Sequence, residues 1–320
     1  MLNRREDSTV QRRGPRSARW FQNVGGITLV FVGLAVAISP YAYGQALNWE
    51  GQTGIFVTPL AYVVPSSANN LGMPVIAYHY LDGGSVLGGF HQFSITEGAF
   101  HRVEFGYTRD VHQEGNTAGL SNFWGNGFNV FHGKLNFLLE GRRKKWVPGV
   151  SVGFVTRSQV QNVGGVISGK STTNADFYMV ATKTITRVPK VPLVFSLGFK
   201  GTNASLLGLA GNAPAYQGRL FGAAAISLRG PARSTLLLGS EFLQEPGGIE
   251  GLPGAVVPTT ITYALRIVPA GTFPSLPHGW AEERPRLTID LGVAQAAGNI
   301  LPGVPLSARH QFALGVSYGF

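Results

Sequence analysis

From Met73 onward the chain repeats one pattern. Stretches of about ten residues alternate apolar side chains with small or polar ones, and turn-forming Gly, Pro, Asn or Asp closes each stretch. A period of two places successive side chains on opposite faces of a strand. The end of the chain shows it most cleanly: Phe312, Leu314, Val316, Tyr318 and Phe320 alternate with Ala313, Gly315, Ser317 and Gly319. A strand between water and a protein core would carry polar residues on its wet face. Large apolar residues on one face and small ones on the other suit lipid outside and a crowded lumen inside.

The same pattern predicts strands at Pro74–Tyr80, Gly89–Thr96, Arg102–Asp110, Phe131–Leu139, Val150–Thr156, Phe177–Thr186, Leu193–Lys200, Arg219–Leu228, Thr235–Phe242, Thr260–Ile267, Leu287–Val293 and Phe312–Phe320. Only the sixth leaves its inward face undecided. The connections alternate in length. Val111–Gly127, Arg157–Asn174, Gly201–Ala215, Gln244–Pro258 and Gln295–Ser307 are long, whereas Glu97–His101, Gly141–Lys145, Arg187–Pro192 and Arg229–Ser234 are short. Val268–Pro285 alone breaks the rule. The expected fold is all-β, a transmembrane antiparallel up-and-down β-barrel of about 12 strands, with 10 or 14 as alternative counts.

Composition agrees. The chain has 320 residues, 44 of them Gly, and only 13% are charged, against about 25% in an ordinary soluble domain. It contains no Cys, which removes disulfides, thiolate nucleophiles and Cys-ligated metals. Of the formal charge of +10, four units come from the first 19 residues, where Arg4, Arg5, Arg12, Arg13, Arg16 and Arg19 outnumber Glu6 and Asp7 and precede the apolar run Ile27–Ile38. A basic region, a short apolar run and then small residues (Gly44 and Ala46, or Ala42 and Gly44) make a secretory signal peptide, expected to span 1–46. The remaining basic surplus forms no single face with interleaved aromatics, so nucleic acid is not an expected partner. After Ala46 no apolar run is long enough for a membrane helix. Residues 47–72 then form a Gly- and Pro-containing segment, read as a plug or a first strand, and 73–320 form the barrel.

Two resemblances follow from these residues. Phe312, Leu314, Val316, Tyr318 and Phe320 resemble the terminal assembly signal of Gram-negative outer-membrane β-barrel proteins. This implies delivery by the barrel-assembly machinery to the outer membrane, among lipid and lipopolysaccharide. The stretch Trp49–Ala61, with Gly51, Gly54, Thr58, Pro59 and Ala61 in G-x-x-G-x-x-x-T-P-x-A order, looks like the start of YjbH-type exopolysaccharide-associated barrels. That likeness implies a link to polysaccharide and carries no catalytic residue with it.

The face assignments put Arg102, Glu104, His132, Lys134, Lys200, Arg219, Glu241, Arg266 and Asp290 in the lumen. Charges of both signs there suit a selective channel or a salt-bridged plug, and both readings stay open. Arg142, Arg143, Lys144 and Lys145 form a basic periplasmic rim beside Trp146, joined by Arg187, Lys190, Arg229 and Arg233 at the same end. Tyr78, Tyr80, Tyr107, Trp146, Tyr263 and Tyr318 are placed in aromatic girdles. The seven His residues show no metal-ligand spacing, so no metal or cofactor is expected. The G-x-S-x-G pattern around Ser151 and Ser317 lies inside strands, without the strand-turn-helix of a nucleophile elbow. His91 with Ser94, or His132 with Asn136, are the remaining hydrolase candidates, and no enzyme activity is expected. The expected function is passage or export of hydrophilic solutes, with a plugged structural or adhesion barrel as the alternative.

Overall fold

The structure is a computed structural model that describes residues 46–84, 88–116, 123–142, 144–169, 172–186, 191–269, 287–296, 299–301, 304–307 and 311–320. Residues 1–45 of the expected export segment fall outside these, as do Arg143, Arg187 and Lys190. The strands are β1 Val75–Asp82, β2 Gly89–Ala99, β3 Val103–Gln113, β4 Phe128–Leu138, β5 Gly149–Ser158, β6 Asn174–Ile185 and β7 Leu193–Ser205. They continue with β8 Gly211–Arg229, β9 Thr235–Leu243, β10 Thr260–Val268, β11 Leu287–Ala296 and, after a small hairpin of β12 Asn299–Leu301 and β13 Val304–Ser307, β14 Gln311–Gly319. A short helix, α1 Val163–Ser168, lies in the β5–β6 connection, capped by the Asn162 side chain.

Twelve strands, β1 to β11 and β14, close into an antiparallel barrel in chain order. The terminal strand is the clasp: β14 pairs with β11 on one side and with β1 on the other, from Val75 opposite Gly319 to Leu81 opposite Ala313. Closure leaves no strand edge unpaired, which lets a sheet stand in a medium without water. The outer surface is apolar: Phe93, Ile95, Phe105, Phe131, Phe177 and Leu197 are each between 45% and 60% exposed. Phe312 and Phe320 are exposed on the same face, Leu314, Val316 and Tyr318 are half-buried, and Ala313 and Ser317 are buried inside. Among the described residues no helix is long and apolar enough to cross a membrane, which says nothing about crossing by strands.

Three sequence expectations change. The connection expected at Gly201–Ala215 is mostly strand: β7 and β8 extend past it and leave only Leu206–Ala210 as a tip, with the register shifted between Thr202 and Ala204. Arg157 and Asn174, expected in a loop, are the paired ends of β5 and β6. The sixth strand resolves its faces through Asn174, Asp176, Thr182 and Thr184, which point inward while Phe177 and Met179 point out. A buried charge needs a partner, and the Arg157 partners Asn174 and Asp176 lie on that inward face.

Close approach inside the wall is set by glycine. A methyl on Gly198 would overlap the Phe221 ring, which is itself 1% exposed and packs edge-on to Tyr178 at 6.2 Å. Gly198→Val is therefore expected to destabilise the barrel by about 1–3 kcal/mol through overpacking, read as an earlier heat-modifiable shift on gels. The same change at Gly201, where nothing lies within 4 Å of an added Cβ, should leave the transition in place.

Candidate functional site

The barrel lumen holds a piece of its own chain. Residues 46–62 and Val64 are buried, and Val63 is half-buried. This segment makes no strand of the wall. It folds on itself through two isolated bridges, Leu47 with Thr53 and Gly54 with Pro59. Gly51, at φ 84°, turns the chain where an added Cβ would strike the Thr108 hydroxyl. Its apolar side chains Trp49, Phe56 and Leu60 pack with Val194, Leu237 and Ala264 of the wall. Some of its peptide groups pair within the segment, as Trp49 N–H with the Phe56 carbonyl and Leu60 N–H with that of Thr53; the others need partners from the barrel.

The inward charges supply them. Glu241 accepts from the backbone N–H groups of Phe56, Val57 and Thr58 and from the Thr58 hydroxyl. Arg266 donates to the carbonyls of Gly54 and Ile55, both at 2.9 Å, and forms a two-pronged pair with Asp290 at 2.7 and 3.0 Å. Glu104 accepts from the N–H groups of Thr53 and Val64 and pairs with Lys134 at 2.9 Å. Lys134 also donates to the carbonyls of Thr53 and Tyr62. Farther along, Arg157 joins Glu50 of the segment to Asp176, which Lys200 approaches at 3.4 Å. Both ends of the segment lie toward the barrel end that carries the C-terminus. Leu47 donates to Ser317 there, and Val64 crosses Gly98.

Loops meet over the opposite end. Trp124 donates its ring N–H to the Leu209 carbonyl and its backbone N–H to Gln161, and Gly164 of α1 donates to Ala210. Glu245, in the β9–β10 connection, accepts from the Leu206 N–H and the Thr260 hydroxyl. Burial pushes its carboxyl above the ordinary glutamate value.

Among the lumen candidates, Glu104, His132, Lys134, Lys200, Glu241, Arg266 and Asp290 are buried on the inward face. Two differ from expectation. Arg102 does not line the lumen: β3 begins one residue later than the alternation suggests, and Arg102 lies in the turn, donating to the carbonyls of Asn136 and Phe137. Arg219 is half-buried and holds the Glu245 carbonyl at the loop-covered end. Arg142, Lys144, Lys145 and Trp146 are exposed in the β4–β5 turn. His91 and Ser94 point to opposite faces, because they are an odd number of positions apart along one strand; His91 meets Tyr78 at 2.8 Å. Asn136 is spent on the Ala61 carbonyl, as is Ser151. Alternation alone misses Arg157 and Asp176, because it cuts the strands where charges begin, and Glu50, because it lies in no strand. Inward parity is the signal that could find Arg157 and Asp176; Glu50 lies outside any strand and has no such signal.

The fold defines a class, the closed twelve-stranded antiparallel barrel. No family model and no curated protein sequence matches the chain. Among solved structures it is similar to the KdgM porin (11% identity, TM-score 0.44, covering 77% of this chain and 99% of that one). It is similar also to the NanC porin (9% identity, TM-score 0.44, 77% and 100%). A third is the translocator domain of the autotransporter NalP from Neisseria meningitidis (14% identity, TM-score 0.35, 80% and 90%). These likenesses are of architecture alone.

Two outcomes test the clamp. Glu241→Gln keeps the shape but removes the charge, costing about 2 kcal/mol of local stability; hydrogen exchange at the Phe56–Thr58 amides should then speed up about 30-fold. Lys134→Met leaves the Glu104 carboxylate buried without its cation and should cost about 3–5 kcal/mol in thermal unfolding, with Glu104→Gln in the same chain restoring part of the loss.

Proposed function

We propose that this chain is a Gram-negative outer-membrane barrel for gated passage of hydrophilic solutes, with residues 47–64 as its removable stopper. The observation that carries it is the clamp itself. Charged wall groups hold one segment whose two ends lie toward the same barrel end, so the segment can leave without threading. A permanently dry core gains little from so many buried ions, since well-packed apolar residues of similar volume are often as stable or more so. Wall atoms such as Thr262 Oγ1, Thr288 Oγ1 and Asn136 Oδ1 also lack hydrogen-bond partners beside the segment. Both features suit a wall that water wets in a second state. With the stopper out, Glu104, Lys134, Arg157, Asp176, Lys200, Glu241, Arg266 and Asp290 line the path with both signs of charge.

Hydroxyl-rich solutes match this wall. A hydroxyl both donates and accepts, so it can replace the peptide N–H groups at Glu241 and the carbonyls at Arg266. The resemblance of Trp49–Ala61 to exopolysaccharide-associated barrels points to the same class. In this arrangement the C-terminal end and the Arg142–Lys145 turn face the periplasm. Phe312, Leu314, Val316, Tyr318 and Phe320 serve assembly. The folded loops over the other end favour a second reading, a sealed barrel acting through its surface.

Planar-bilayer recording separates the two. Deleting Trp49–Ala61 should give stable conductance steps, and the intact protein should show only transient openings under voltage. A Cβ on Gly149 would lie 3.6 Å from that of Ala61, within disulfide range. Ala61→Cys with Gly149→Cys should therefore abolish the openings until reductant is added, in a chain with no other Cys. A folded deletion variant that stays silent would leave the sealed barrel.

A further inference from the structure

The inward face of β2 and β3 is a ladder of paired residues: Gly98 with Glu104, Thr96 with Gly106, Ser94 with Thr108, Gln92 with Asp110, and Phe90 with His112. The stopper covers the lower rungs. Thr96 donates to the Gly51 carbonyl and Thr108 to that of Glu50. Rings cover the top rung, where His112 lies 4.7 Å from Phe90 and Trp124 lies 5.3 and 5.4 Å from the two. Gln92 and Asp110 fall between stopper and rings, and both are 0% exposed.

The Gln92 amide is the polar group beside the Asp110 carboxylate, yet no hydrogen bond of ordinary geometry reaches either carboxylate oxygen or either end of that amide. A buried carboxylate in that condition is costly unless something neutralises it. The adjacent cation is committed elsewhere. Arg109, next in sequence, holds Asn129 and the Asn126 carbonyl.

We propose that Asp110 and Gln92 form an oxygen-lined site for a small monovalent cation, of the sodium class, enclosed between the stopper and the ring cluster. Two carboxylate oxygens and the Gln92 carbonyl oxygen are hard donors of the kind that bind ions without thiolate or imidazole. One carboxylate balances one positive charge, whereas a divalent ion would leave net charge under an apolar cover. Among the described residues no three His, Cys, Asp or Glu side chains gather as a metal cluster. The site stands independently of solute passage.

The test is the unfolding temperature of the full-length protein in detergent, in sodium chloride against N-methylglucamine chloride at equal ionic strength. Sodium should raise it by about 3 °C for each tenfold excess over the dissociation constant, and Asp110→Asn should abolish the difference. A wild-type protein indifferent to sodium overturns the proposal, as a protonated carboxyl or a water molecule would give. So does an Asp110→Asn protein that keeps the difference. Calcium acting at about a hundredfold lower concentration than sodium overturns the monovalent assignment. If Asp110→Asn does not fold, Gln92→Leu removes the third oxygen and should shift the sodium midpoint upward by about tenfold or more; an unchanged midpoint overturns the site.

Discussion

Peptide groups without a ladder of their own decide the interior of this protein. Residues 46–64 bring N–H and C=O groups into a space closed to water, and each must find a partner or cost free energy. The barrel answers with ions. Glu241 gathers three successive N–H groups, Arg266 takes two successive carbonyls, and the Glu104–Lys134 pair holds the segment at both Thr53 and its exit. Side-chain charge does here what a neighbouring strand does in a sheet.

That solution has a consequence for the wall. A charge that grips a peptide must itself be balanced, so Arg266 carries Asp290 and Arg157 carries Asp176. The lumen is thus polar in layers, while the outer face is apolar and aromatic. The two faces meet across a sheet one residue thick, which is possible because a strand sends successive side chains opposite ways. The glycines complete it. Gly51 lets the segment turn against Thr108, and Gly198 gives the Phe221 ring a floor.

The barrel is legible from alternation. Period two, short turns alternating with long connections and a terminal strand of large and small residues yield the twelve strands in order, since these depend on neighbours a few residues apart. Strand ends are less legible. Arg157, Asn174 and Asp176 read as loop residues because charge usually marks solvent, whereas a lumen admits charge wherever an opposite one faces it. Arg102 fails in the other direction, an inward parity that ends in a turn.

Local periodicity and the medium on each side are enough to give the class of fold and the face of most wall residues. What fills the lumen is a matter of long-range contacts alone. Nothing in the spacing of Glu50, Glu104, Arg157 or Glu241 shows that they meet one segment, since their contacts join residues 40 to 185 positions apart. Such contacts depend on how the closed wall folds the chain back on itself, and no local pattern encodes that distance.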